Sequence, residues 1–278
     1  MFFSHSRYSI LLCTILLLSF TGCAFLSGGK DFTPVSPAPD HLSVEVISKP
    51  TYAGRVTDLV PLLSKVETDT LTHFLDSLAN LEIADYHVLM VPSLGDASPK
   101  DYSAEVLQDW SGSGQLSDLA FLMVISAYDG QVAFGLAPAI ADSLSPRVAD
   151  FLFKRSASEA FDNGHFKQGI VDFVEQTVLM LIDQSPQPAN GYQDLMNALD
   201  YPEREREEGV QDIVYMRVLV GASGTVLDCV PVEEVEHEAF VVAADEAIRE
   251  VFWRPAMHKG QSFSMWITVP VVFRLGYR

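Results

Sequence analysis

Positions 119–127 constrain the fold more than any other stretch, because Leu119, Ala120, Phe121, Leu122, Met123, Val124 and Ile125 follow one another without a polar break. A strand with one wet face alternates apolar and polar residues, whereas an unbroken apolar run belongs to a strand covered on both sides. Tyr128-Asp129-Gly130 turns this run into a partner at 131–136, giving a hairpin. A second buried run, His87-Val88-Leu89-Met90-Val91, ends at Pro92. Helices are interleaved with the strands. Ser64 and Glu67 form a capping box, after which Leu71, Phe74, Leu75, Leu78 and Leu81 share one helical face. Ser98-Pro99 with Asp101 starts a helix reaching Trp110, Ser145-Pro146 opens one through Glu159, and 167–182 carries the last. This alternation predicts a three-layer α/β sandwich over residues 52–185.

Residues 186–198, with Pro186, Pro188, Asn190 and Gly191, read as a linker with a fading helix up to Leu199. Residues 199–278 then predict a small α+β domain. A strand at 213–220 turns at Gly221-Ala222-Ser223-Gly224 into a partner at 226–232. A helix at 238–251 places Phe240, Ala243, Ala244, Ala247, Ile248 and Val251 on one side. The last strand, 263–275, contains Pro270, which has no N–H to donate and marks a sheet edge.

The N-terminus is of another kind. His5, Arg7 and Tyr8 precede an apolar stretch at 10–20 that is too short to span a bilayer, where about 20 residues are needed. The stretch runs through Leu16-Leu17-Leu18-Ser19-Phe20-Thr21-Gly22 to Cys23, the pattern of a bacterial lipoprotein signal peptide over residues 1–22 with lipidation at Cys23. Ala24, rather than aspartate, follows that cysteine and by resemblance points to the outer membrane. Residues 23–51, with Gly28, Gly29, Pro34, Pro37, Pro39 and Pro50, read as a tether. Of the three cysteines, Cys13 leaves with the signal and Cys23 takes lipid, so Cys229 has no partner for an intramolecular disulfide. The formal charge of −19 is concentrated in residues 52–198, which carry 20 acids against seven bases. Such a surface repels nucleic acid and anionic lipid alike, so attachment to a membrane rests on the anchor alone.

Two family resemblances follow from these residues. Val56-Thr57-Asp58 with Leu63-Ser64, Val91-Pro92-Ser93-Leu94-Gly95, Tyr102, Trp110, Phe161, Gly164-His165-Phe166 and Gly169-Ile170 resemble the TPM-domain family. That resemblance implies an extracytoplasmic α/β/α fold. Some family members are similar to phosphatases or bind calcium through acidic loop residues, and the matching acids here are Asp58, Asp118 and Asp129. Gly130 stands where the family usually has arginine. In the second domain Tyr201-Pro202, Gly209-Val210, Val218-Leu219-Val220, Gly224-Thr225-Val226 and Asp245-Glu246-Ala247 lead to Phe252-Trp253-Arg254-Pro255-Ala256, Gly260 and Val269-Pro270-Val271-Val272-Phe273. This block closely resembles the C-terminal domain of the TonB family, which implies binding of a partner's extended segment at a sheet edge.

Function reads accordingly. Three carboxylates converging at one end of the sheet would make a minimal calcium site, the one cofactor the resemblance implies; the same aspartates also suit turns and caps. No catalytic residue is assigned. Phosphoryl transfer needs a cation to absorb developing charge, and at Gly130 it is missing. His87 and His165 lack partner ligands at metal spacing, Cys229 lacks a basic neighbour, and Trp110, Trp253 and Trp266 suit a core. The expectation is a non-enzymatic envelope scaffold or adaptor, lipid-anchored on the periplasmic face of the outer membrane, that binds another envelope protein. The alternative is a calcium-binding first domain with phosphatase-type hydrolase activity.

Overall fold

The structure is a computed structural model that describes residues 30–35 and 49–275. The signal peptide at 1–22, the lipidation site Cys23 and most of the tether lie outside the described residues. The first domain runs β1 (Val56–Asp58), α1 (Lys65–Asn80), β2 (Asp85–Val91), α2 (Pro99–Gly112), β3 (Ala120–Ser126), β4 (Gln131–Leu136), α3 (Pro138–Ala141), α4 (Pro146–Ser156), α5 (Ser158–Asp162) and α6 (Phe166–Leu181). The second runs β5 (Gln187–Pro188), α7 (Tyr192–Ala198), α8 (Glu203–Glu208), β6 (Asp212–Val220), β7 (Val226–Pro231), α9 (Glu238–Glu250), β8 (Trp253–Arg254), β9 (Ala256–His258), β10 (Gln261–Phe263) and β11 (Met265–Phe273).

The first sheet has the order β1-β2-β3-β4, with β1, β2 and β3 parallel and β4 antiparallel to β3. Every residue of β2 and β3 is buried, as the apolar runs at 88–91 and 120–125 require, and β2 buries Asp85 and His87 along with them. One face, through Tyr86, Val88, Met90, Phe121, Met123 and Ile125, packs on α1, α4, α5 and α6. The other, through Leu89, Val91, Leu122 and Val124, meets Tyr102, Val106 and Trp110 of α2. The three layers are therefore unequal. The capping box forms as expected: Ser64 accepts from the Glu67 N–H, and the Glu67 carboxylate accepts from the Ser64 N–H. The helix predicted through Glu159 instead breaks at Ala157, whose φ of −123° ends α4. The break turns Phe161 edge-on to Phe153, Phe166 and Phe32. It also brings Phe161 so close to α6 that a Cβ on Gly169 would lie 2.5 Å from the ring.

Phe32 departs from the tether expectation. Residues 31–35 lie on the β3–β4 turn, with Asp31 N–H donating to the Gly130 carbonyl at 2.7 Å and Val35 N–H to Ala127 at 3.0 Å. Phe32 is buried among Phe161 and Phe166, a burial worth roughly 2 kcal/mol that Pro/Gly composition conceals. Near Tyr52 the chain docks again, as the Trp110 indole N–H donates to the Pro50 carbonyl at 2.8 Å.

In the second domain, β11-β6-β7 form an antiparallel sheet. Val214, Met216, Val218 and Val220 face Phe240, Ala244, Ala247 and Ile248 of α9, with Leu195 of α7 beside them. The boundary between the domains follows packing rather than sequence. Ala256, Phe263 and Met265 are buried in the first domain's core, and β5, within the expected linker, pairs with β8. Among the described residues no helix is long and apolar enough to cross a membrane.

Candidate functional site

The three aspartates expected to converge do not meet. Asp58 closes β1 and Asp129 follows β3, whereas Asp118 precedes β3 and is exposed at the opposite end of the sheet. Seven strand residues at about 3.3 Å each separate the two ends by roughly 20 Å. Strand direction decides this, because a loop before a parallel strand and a loop after it open on opposite edges. Asp58 accepts the N–H groups of Val60 (3.0 Å) and Leu63 (2.9 Å), holding the turn into α1. Asp129 accepts from Ser93 Oγ at 2.9 Å, Leu94 N–H at 2.8 Å and Ser126 Oγ, tying the loop after β2 to the turn after β3. Beside it Gly130 has φ +65°, and the Phe32 carbonyl stands where a side chain would begin. The arginine that the resemblance implies there has no room. Among the described residues no group of three or more His, Cys, Asp or Glu side chains is disposed to hold a metal ion.

His87 is buried at the strand-start end of β2, its Nε2 3.0 Å from Asp85 but poorly aligned for a hydrogen bond. Asp85 also takes the Arg55 guanidinium, which reaches Asp76 as well, and the Ser117 N–H at 3.0 Å. Burial raises the Asp85 pKa, but His87, Arg55 and the Ser117 N–H outweigh it and hold the carboxyl far below the usual range. This is a buried charge cluster that fixes β1 against β2. His165 is the N-cap residue of α6 and makes no side-chain cap bond. Cys229 is half-buried, its thiol pushed up to about 12 by burial and then by the neighbouring Asp245, which removes nucleophilic character at neutral pH.

The second sheet has two edges of unlike chemistry. Val232 N–H donates to the Tyr215 carbonyl at 2.9 Å, so Tyr215, Arg217 and Leu219 direct their backbone groups toward β7. Their opposites on β11 therefore turn outward: Trp266, Thr268, Pro270 and Val272. Three of these four offer both N–H and C=O to the exterior, and Pro270 offers only its carbonyl. On β7 the outward positions are Cys229 and Pro231. Pro231 has no donor, and the Cys229 N–H is taken by Asp228 at 2.9 Å. That edge is closed, as edge strands are commonly protected.

The domains meet on the face of this sheet opposite α9. Arg217 donates to Asp172 at 2.6 Å and Glu175 at 2.7 Å on α6 and lies over the Trp266 ring, 5.3 Å from its centroid. Burial pushes the Glu175 carboxyl up to about 7, against the opposing pull of Arg217. Sequence reading missed Glu175. The signal was present, as a carboxylate among Val171, Val174 and Val178 on the apolar face of a helix calls for a partner from elsewhere.

Comparison with known proteins matches both domains. Residues 56–179 match the family model of the TPM domain, and residues 197–275 match that of the Gram-negative bacterial TonB protein C-terminal. TonB C-terminal domains generally mediate protein–protein interaction, and the pair of domains marks an envelope-associated protein. No curated protein matches the chain. Among solved structures it is similar to the N-terminal domain of a P. gingivalis protein, at 20% identity and TM-score 0.41, covering 45% of this chain and 80% of that one. The Pseudomonas aeruginosa TonB C-terminal domain is 19% identical with TM-score 0.28, over 34% of this chain and 92% of that one. The N-terminal domain of a Corynebacterium glutamicum protein is 12% identical with TM-score 0.38, over 56% and 92%.

Proposed function

We propose that this chain, which joins a TPM domain to a TonB C-terminal domain, is an envelope adaptor that takes an extended segment of another envelope protein onto the free edge of β11. The observation that carries the reading is the outward row of Trp266, Thr268 and Val272, whose backbone groups have no partner among the described residues. Main-chain hydrogen bonds supply the affinity in such strand addition, so no side-chain motif is required. Pro270 sets the register, because the incoming strand cannot place an acceptor opposite it. The adaptor is held at the periplasmic face of the outer membrane by lipid on Cys23, and a triacylated cysteine anchors stably where a single chain does not. The test captures partners from solubilised envelopes on the full chain. Thr268→Pro removes one outward donor that the fold does not use and is expected to abolish capture, while Cys229→Pro on the closed edge keeps it. Equal capture by wild type and Thr268→Pro overturns the reading.

A calcium-dependent phosphatase-type activity is the second reading, favoured by the presence of Asp58 and Asp129 at the same end of the first sheet. It predicts calcium-dependent turnover of a generic phosphate ester that is lost in Asp129→Ala. No turnover above background removes it.

A further inference from the structure

Three cavities, of about 370, 270 and 530 Å³, line the junction of the two domains, and Glu175 and Trp266 form part of the wall of all three. The first is apolar, walled by Phe74 and Leu78 of α1, Leu81 just past its end, Val178 of α6, and Phe263 and Met265. Glu175 is the one charged residue lining it. Only Oε2 of that carboxylate is engaged by Arg217. Arg217 also serves Asp172, so two acids share one guanidinium, and the first cavity holds Glu175 with no cation of its own. The other charged groups lining the cavities are Lys167 of α6, Arg155 of α4 and Asp228 of β7, all on the outer two, while the α1 and β11 residues that line them carry no charge; Lys259 and Glu82 pair across the junction outside the cavities. Ligand sites typically have this build: several hundred Å³ at a domain interface, apolar walls and a few convergent polar groups.

We propose that the domain junction is a binding site for a small amphiphilic amine, its hydrocarbon body between α1 and Met265 and its ammonium group on Glu175. A carboxylate ligand meets Glu175 in a cavity whose lining holds no cation, and a neutral one leaves the free Glu175 oxygen without a cation. An ammonium group against Glu175 favours the ionised carboxylate, so binding at neutral pH releases a proton and tightens as pH rises.

The test titrates the full chain with n-octylammonium, octanoate and octan-1-ol at pH 6 and pH 8, reading tryptophan fluorescence. Trp110 and Trp253 are buried in their own cores, so the signal reports Trp266. Octylammonium is expected to saturate, to bind roughly tenfold tighter at pH 8 than at pH 6, and to exceed octanoate and octanol at least tenfold at pH 8. Glu175→Gln is expected to retain the fluorescence spectrum, lose the pH dependence and bind octylammonium no better than octanol. Octylammonium binding no tighter than octanol, or a flat pH dependence in the wild type, overturns the proposal whether or not the variant folds.

Discussion

Asp85 and Glu175 are the two carboxylates whose surroundings move them furthest, in opposite directions and with opposite consequences. Asp85 is held low, so its contribution is present above the unfolded value of about 3.8 and is lost only as pH falls below it toward the folded value. Removing it leaves Arg55 and His87 without their shared anion, and Asp85→Ala is expected to lower stability by about 3 kcal/mol at pH 7 in urea unfolding. A loss under about 1 kcal/mol would mean that the cluster is incidental. Glu175 is held high. Between about 4.5 and 7 the folded chain keeps a proton that the unfolded chain has released, so stability falls as pH rises through that window and is level above it. Glu175→Gln is expected to match wild type at pH 4 and to be more stable at pH 8, by up to roughly 3 kcal/mol. Melts at the two pH values check the sign, and a variant less stable than wild type at pH 8 contradicts it.

At the scale of elements, β11, like β7 with Pro231, carries its proline on the outward side of the sheet. Pro270 thus costs the sheet no internal hydrogen bond while denying one to any strand arriving from outside. Pro270→Val restores that donor and is expected to give concentration-dependent self-association in sedimentation runs; an unchanged monomer would show that Pro270 does not guard the edge. That 263–275 holds an edge strand was legible in the sequence because proline lacks an N–H. The capping box at Ser64, the two unbroken apolar runs and the amphipathic face of α9 were legible for comparably local reasons. The break at Ala157 was not, since no glycine or proline marks it and the Phe161 that it turns packs on Phe32, far back in the chain, as well as on Phe153 and Phe166. Nor was the separation of Asp118 from Asp58 and Asp129, which follows from strand direction and not from residue type. Asp31 and Phe32 were hidden by the prolines around them, because composition reports chain stiffness and says nothing of a single aromatic side chain finding a pocket.

On the scale of the whole molecule, sequence boundaries and packing boundaries differ. Phe263 and Met265 belong to the second domain by chain position and to the first by burial, while Arg217 and Lys259 add ion pairs to Asp172, Glu175 and Glu82 across the junction. Truncating Met265 to Ala is therefore expected to ease the opening of α1 and α6 by about 2–3 kcal/mol, read by amide hydrogen exchange. An effect confined to β6, β7 and α9 would assign Met265 to the second domain's core instead. A junction of this kind packs the start of β11 against the first domain, which is compatible with the proposed adaptor presenting one strand to a partner. The most direct measurement is residue-resolved hydrogen exchange on the full chain, alone and with the partner captured from solubilised envelopes. Slowed exchange at Trp266, Thr268 and Val272, with Cys229 unchanged, is the expected result. Protection that falls on β7 or on the helices, with the β11 amides exchanging as before, would contradict strand addition at this edge.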